Sequence, residues 1–458
     1  MARDRFASSF PLVIVGAGAC GLVAALTARE AGIEVLAIER DPVPAGSTAL
    51  SSGQIPACGT RAQRAAGIAD SVGMMADDIQ AKAKGRNHRA LVEAICAESG
   101  PTVDWLTDAH GVALTLVEGF RYPGHSRQRM HAPPARTGAE LMAMLREAAA
   151  RAGIELLCSA RVTELAADGA GRVEGLCIER PDGSAEWIGC DWLILACNGF
   201  GGDRELVRRY IPEMADALYF GHPGNTGDAL HWGEALGAAV EHMGAYQGHG
   251  SVATPHNILV TWALMMEGGI QVNLRGERFS NEHGGYSEQS VHVLNQPEGV
   301  AWNIYDARCH AAALQFEDYQ KAIQAGAIKT AADLSELARL THLPEAQLRA
   351  TLDGCRGKDR FGRDFGAKPP LAPPYHAVKV TGALFHTQGG LKIDPQARVL
   401  RADGCPLPNL LAGGGAAAGI SGETVDGYLS GNGLLSAVGL GRIAGKTVAG
   451  MAAIRQAG

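Results

Sequence analysis

The sequence predicts an α/β protein, with one domain built on a parallel sheet and a second, α+β domain inserted into it. Three observations carry that expectation. The chain opens on a strand, a glycine turn, a helix and a second strand, an order that forms a right-handed βαβ crossover. Its 458 residues exceed the roughly 250 to 300 at which a single hydrophobic core stops growing. From about Glu241 to Pro370 the pattern shifts to His, Met and aromatic residues among short elements, and Pro369, Pro370, Pro373 and Pro374 mark a return linker. The expected division is 1–240 with 371–458 for the first, discontinuous domain and 241–370 for an inserted capping domain.

Each element follows from its local pattern. Residues 11–15 are an apolar run suited to a buried parallel strand; Leu22, Ala25 and Leu26 give helical spacing up to Gly32, and residues 33–39 read as the second strand. Residues 138–152 predict a helix with Leu141, Met144 and Leu145 on one face, followed by strand-like segments at 155–157 and 172–178. A polar hairpin at 181–183 leads into an apolar strand at 192–196, closed by the tight turn Asn198-Gly199-Phe200-Gly201-Gly202. The end of the chain is rich in glycine, with eleven in the 35 residues 411–445.

Composition removes several function classes. Glycine is 60 of 458 residues, about 13% against ~7% on average, without a Gly-X-Y period, so close backbone approaches rather than a collagen-like chain explain it. Lys+Arg 41 against Asp+Glu 48 gives a net charge of −7 with no long block of either sign, which argues against a nucleic-acid partner. The ten cysteines include no Cys-x-x-Cys pair, so no structural zinc, iron-sulfur or disulfide framework is expected and a cytoplasmic setting fits. The uncharged stretch 11–28 follows Arg3 and Arg5 like a signal peptide, but Gly16, Gly18 and Gly21 weaken it as a membrane or targeting helix. No integral membrane segment and no metal site are expected.

Val13-Ile14-Val15-Gly16-Ala17-Gly18-Ala19-Cys20-Gly21, with Glu39 further on, is a dinucleotide fingerprint in its strand-turn-helix context. It makes the first domain Rossmann-like. Gly16 makes the tight turn, Gly18 admits a pyrophosphate, Gly21 permits helix-to-strand packing, and the helix N-terminus at Ala19 favours negative charge. Glu39, followed by Arg40, is placed to accept hydrogen bonds from an adenosine ribose. The run from Gly46 to Gly53 supplies small residues and hydroxyls, including Ser47, Thr48 and Ser52, along which a flavin and its ribityl chain could lie. FAD is therefore the expected cofactor, with Gly413-Gly414-Gly415 and Ser430-Gly431-Asn432-Gly433-Leu434 closing over its ring system.

The whole pattern resembles the fumarate reductase and succinate dehydrogenase flavoprotein family, which includes soluble reductases and ketosteroid dehydrogenases. The resemblance rests on the fingerprint, Leu195-Ala196-Cys197-Asn198-Gly199-Phe200, Thr226-Gly227-Asp228, Gly276-Glu277-Arg278-Phe279-Ser280-Asn281-Glu282, His386-Thr387-Gln388-Gly389-Gly390 and Gly431-Asn432-Gly433. It implies FAD held by both chain ends, with Asn198, Gly199 and Asp228 among the cofactor contacts, and a cap beside which substrate meets the flavin. Membrane-bound members bond FAD to a histidine; the matching stretch near Thr48 has none, so non-covalent FAD is implied.

Substrate positions depart from the fumarate pattern. Where fumarate-reducing members resemble this chain but carry a proton-donating arginine after Asn-Glu, Tyr286 stands here; their Thr-Glu pair reads Thr261-Trp262, and a second arginine reads Tyr428. A phenol offers one hydrogen bond and no cation, so a dicarboxylate is disfavoured. The ketosteroid branch is similar instead, through Asn281-Glu282 with Tyr286 and Tyr428-Leu429-Ser430. That resemblance implies an FAD-dependent desaturase of a cyclic ketone, steroid-like or smaller, passing electrons to an unidentified acceptor. Tyr286 would take the α-proton with Ser430 assisting, and Tyr428 would polarise the carbonyl, or the tyrosines would exchange roles. His386, by family position, would bind a substrate carboxylate, making an acid-bearing ring ketone plausible; His249 and Trp262 are further substrate candidates, with ordinary packing an alternative for each. A reductase of an activated C=C bond and a non-catalytic flavin electron carrier are the rival readings.

Overall fold

Three parallel strands end side by side in the computed structural model, which describes residues 5–118 and 121–457. Strand β1 (Ser8–Val15) buries Leu12, Val13 and Ile14 completely. It pairs in parallel with β2 (Val35–Ile38) on one side and β3 (Ala185–Leu195) on the other, so that Ile14 lies opposite both Ala37 and Ile194. The last residues of β3 pair in parallel with β4 (Pro406–Ala412), Ile194 opposite Leu411. β1 thus has crossovers leaving on both sides, the switch point at which open α/β sheets form a ligand crevice beyond their carboxyl ends.

The sheet is mixed around this parallel core. The first half of β3 pairs antiparallel with Val173–Glu179, which pairs antiparallel with Arg161–Ala167. That last strand is not evident in the sequence, because Arg161-Val162-Thr163-Glu164-Leu165 alternates too briefly to stand out.

The chain forms two compact units: Met1–Ile211, Gly221–Tyr246 and His386–Gly458 in the first, Pro212–Phe220 and Gln247–Phe385 in the second. These edges differ from those drawn at 240/241 and 370/371. The prolines precede a strand, Tyr375–Thr387, whose register with Val300–Asp306 stays within the second unit, so the chain leaves that unit later than they suggest.

In the first unit, helix α1 (Ala19–Glu30) starts from Gly18 with no side-chain cap and no acidic residue in its first turn. Its positive end is therefore left to a ligand. The C-terminal helix α3 (Asn432–Ala457) packs against α1 and against helix α2 (Arg89–His110) through small residues. A methyl group at Gly441 would lie 2.5 Å from the Cys20 carbonyl oxygen, and one at Gly439 would lie 3.0 Å from Ile95 Cγ2. The glycine-rich end of the chain is thus partly a helix-packing surface. No described helix is long and apolar enough to cross a membrane.

The second unit holds a seven-stranded sheet around Tyr375–Thr387, and Ile270, Val272, Trp302 and Ile304 pack with Leu337 and Leu348 as its core. A buried charge cage lies beside it. Glu282 accepts from Arg278 Nη2 at 2.5 Å and from Arg363 Nη1 at 2.9 Å, while Arg278 also pairs with Asp359. Burial alone would raise the Glu282 carboxyl, but the bonds from Arg278 and the charge of Arg363 offset it and hold the group below the usual carboxylate range. Glu282→Ala leaves two guanidiniums without their shared partner. It should lower the free energy of unfolding by about 3–5 kcal/mol in urea denaturation at neutral pH; a loss of under about 1 kcal/mol would contradict this role.

Candidate active site

The first unit carries a cleft at the carboxyl ends of β1, β2 and β3, enclosing about 820 Å³ of space that is partly open to solvent. Its walls include Gly16, Gly18, Ala19, Glu39, Arg40, Ser47, Thr48, Asn198, Asp228, Gly414 and Gly415. Glu39 is fixed by two backbone donors, Ala17 N at 3.0 Å and Asp41 N at 3.1 Å. Arg40 donates to the Gly224 carbonyl at 2.6 Å, and Ser47 Oγ accepts from Asn225 Nδ2 at 2.8 Å. Thr48 Oγ1 accepts from Ala19 N at 3.4 Å.

Other predicted positions serve this wall from behind. A Cβ at Gly21 would lie 1.9 Å from the Gly16 carbonyl oxygen, and one at Gly53 would lie 2.6 Å from that of Thr137. Asn198 takes a left-handed turn (φ 68°) with its Oδ1 accepting from Gly199 N at 2.8 Å. Gly199 is packed against Thr387, whose Oγ1 would lie 2.0 Å from an added Cβ. Gly431, at φ 87°, faces the Pro56 ring. Ser52, Asn432 and Leu434 are likewise outside the cleft wall. The sequence reading missed Ala160, Arg161, Cys197, His222, Gly224 and Asn225, which also line it. Of these, only Cys197 and Asn225 sit beside a motif residue, Asn198 and Thr226.

A polar cluster surrounds the start of α3. The Tyr428 hydroxyl accepts from Gly433 N at 3.3 Å, and the His386 ring meets Tyr428 edge-on with centroids 5.7 Å apart. His386 Nδ1 is 3.2 Å from Gln388 Nε2; Gln388 Oε1 accepts from Ser421 Oγ at 2.7 Å, which in turn accepts from Asn432 Nδ2 at 3.0 Å. Burial takes the His386 imidazole down to about 4, so it is neutral at pH 7. Tyr428 is 5% exposed and Ser430 is 6% exposed. His125, absent from the sequence-based candidates, donates from Nε2 to the Ser430 carbonyl at 2.9 Å. No local motif links two residues 305 positions apart.

An aromatic cluster belongs to the second unit. Tyr286, the first residue of the helix Tyr286–Leu294, is 9% exposed and stacks on His249 with centroids 4.8 Å apart. His249 also meets Trp262 edge-on at 5.8 Å and Phe385 at 5.4 Å. Ser251 N donates to His249 Nδ1 at 3.1 Å, which places the proton of the neutral ring on Nε2. Burial takes this imidazole down to about 3. The Trp262 indole N–H is bonded to the Glu282 carbonyl at 3.1 Å, leaving its ring as an apolar surface.

The FAD binding domain family matches residues 12–434. Fumarate reductase (cytochrome) from Shewanella frigidimarina is 30% identical over 446 residues, covering 96% of this chain and 76% of that protein. The chain belongs to the fumarate reductase/succinate dehydrogenase flavoprotein family. As a member, this flavoprotein is an FAD-dependent oxidoreductase acting on CH–CH groups. The 4-oxocyclohexanecarboxylate 2-dehydrogenase of Sinomonas cyclohexanicum is 25% identical, covering 97% of this chain and 94% of that one. The crystal structure of 3-ketosteroid-Δ4-(5α)-dehydrogenase from Rhodococcus jostii RHA1 shares the fold, with a TM-score of 0.77 at 24% identity over 97% of each chain.

The cleft of this flavoprotein fits FAD. The start of α1, where Gly18 offers no side-chain cap and the Thr48 hydroxyl takes the Ala19 N–H at 3.4 Å, and the open space at Gly18, where an added Cβ would meet only Thr48 Oγ1 at 3.8 Å, suit a pyrophosphate. Glu39 suits a ribose. Beyond the cleft wall, Asn432 Oδ1 is buried without a hydrogen-bond partner among the described residues. Cys20 and Cys197 line the cleft, but burial pushes both thiols up to about 12, so they are inert there. Gly18→Ala, which clashes with nothing in the protein, should leave the thermal midpoint of the FAD-free chain unchanged and weaken FAD binding at least tenfold. Gly21→Ala should disturb folding itself. Wild-type flavin affinity in Gly18→Ala would contradict the placement of the pyrophosphate.

Proposed function

We propose that the protein desaturates a cyclic ketone beside its carbonyl, a monocyclic or steroid-like ring. Bound FAD would supply the hydride acceptor at its N5 position. The residues of the chain handle the proton. Tyr286 takes the α-proton once its own hydroxyl proton has been relayed to solvent, with Ser430 assisting, while Tyr428 and a backbone N–H polarise the carbonyl as negative charge develops on its oxygen.

One observation carries the reading: the two tyrosines, which by the family resemblance replace arginines of fumarate-reducing members, are buried beside imidazoles held neutral by burial. Such surroundings suit an uncharged carbonyl. They do not suit a dianion clamp. The hydrogen bond from Gly433 N to the Tyr428 oxygen strengthens that phenol as a donor, which favours Tyr428 as the polarising group and leaves proton removal to Tyr286. The end-to-end likeness to 4-oxocyclohexanecarboxylate 2-dehydrogenase supports a ring ketone that bears a carboxylate, toward which His386 would offer a neutral N–H. The lack of a histidine in the stretch near Thr48, which resembles the stretch where membrane-bound members bond FAD, supports non-covalent FAD, and ten unpaired cysteines support a reducing, cytoplasmic setting.

Reduction of an activated C=C bond is the second reading, favoured by the higher identity to fumarate reductase. Supplying the saturated ketone with an artificial electron acceptor, and separately the enone with a reduced donor, separates the two directions. Tyr286→Phe and Tyr428→Phe should each lower kcat about 100-fold or more with flavin content unchanged. Near-normal rates in both variants would sink the mechanism.

A further inference from the structure

Away from the cleft, the first unit brings together three side chains that neither the fold nor the proposed chemistry uses. His88 is the N-cap residue of α2, and Glu241 ends a two-residue strand, Val240–Glu241, that pairs with Gly390–Leu391 and is followed directly by His242. One ligand atom from each lies within 4.8 Å of the other two. His88 Nε2 is 2.8 Å and His242 Nε2 is 4.0 Å from the same carboxylate oxygen, Glu241 Oε2. The other oxygen, Oε1, is 3.3 Å from Lys392 Nζ, so the lysine orients the carboxylate and leaves Oε2 toward the imidazoles.

His242 points to a ligand. Its side chain is only 7% exposed, and its buried Nε2 has no hydrogen-bond partner among the described residues. Leaving such an atom unpaired costs free energy that a bound ion would recover. The backbone fixes its aim: His242 has φ 56°, and its carbonyl accepts from Ala245 N at 2.8 Å. His88 is also anchored through its loop, where Asn87 Nδ2 donates to the Ile420 carbonyl at 2.5 Å and Lys84 and Arg86 pair with Asp426. Its ring remains 51% exposed and can turn.

We propose that His88, Glu241 and His242 form a binding site for one zinc-class divalent ion, with water completing the coordination. Two imidazoles and one carboxylate are a donor set that zinc accepts. Bonds of about 2.0–2.2 Å at tetrahedral angles put neighbouring ligand atoms about 3.3–3.6 Å apart, a range bracketed by the 2.8 and 4.0 Å seen here. A small rotation of the exposed His88 ring is enough. Glu423, whose charge acts on His242, adds favourable negative potential. The ion would tie the start of α2 to a strand more than 150 residues along the chain.

Titration of the FAD-loaded protein with zinc chloride by isothermal calorimetry tests this. About one zinc per chain should bind, and Glu241→Gln, His242→Gln and His88→Gln should each weaken it at least tenfold without loss of flavin. His88→Gln alters an exposed side chain, so it decides the matter even if a buried variant folds poorly. Absence of saturable uptake, or uptake that any of the three well-folded variants leaves unchanged, would overturn the site.

Discussion

The two ends of this chain meet backbone to backbone, and the cofactor cleft depends on that contact. Helix α1 follows the fingerprint turn, helix α3 closes the sequence, and Gly441 and Gly445 let them approach where any side chain would collide: a Cβ at Gly445 would lie 2.6 Å from Thr27 Cβ and 2.8 Å from the Ala24 carbonyl oxygen. Close approach sets the position of the whole of α3. Its first turn carries Gly433, whose N–H bonds the Tyr428 hydroxyl. The helix pair therefore couples the turn at Gly16 to the group proposed to polarise substrate, at fixed distance and without a flexible loop between them.

Charge is distributed so that the two imidazoles beside the candidate tyrosines stay neutral. Arg278 and Arg363 are spent on Glu282, a cage that orders the Gly276–Glu282 motif. His249 and His386 are held uncharged by burial. In the proposed mechanism the candidate tyrosines supply directional donors and acceptors, for moving one proton and stabilising one developing oxyanion. The family scaffold is kept, and in the proposed reading phenols stand in for an ionic clamp.

Much of this was legible in the sequence because it was local. The fingerprint, its second strand, the helix at Gly138–Arg151 and the turn at Asn198 each declare themselves within about twenty residues. What escaped was long-range. Arg363 completes a cage begun at Arg278, His125 supports Ser430, and His222 to Asn225 close the cleft over Ser47, all through contacts between segments with no shared motif. The late glycines were legible in number but not in purpose: Gly441 and Gly445 at helical i, i+4 spacing serve packing, whereas Gly414 and Gly415 face the cleft.

The central claim is that two tyrosines, one moving a proton and one polarising a carbonyl, make this flavoprotein an oxidant of ring ketones. Anaerobic titration of the FAD-loaded enzyme with saturated ketones, among them 4-oxocyclohexanecarboxylate and a 3-ketosteroid, followed by flavin absorbance and product analysis, tests it most directly. The account predicts stoichiometric bleaching with at least one ketone and formation of the conjugated enone. A flavin that stays oxidised with every ketone, while its reduced form is reoxidised by fumarate, would contradict it.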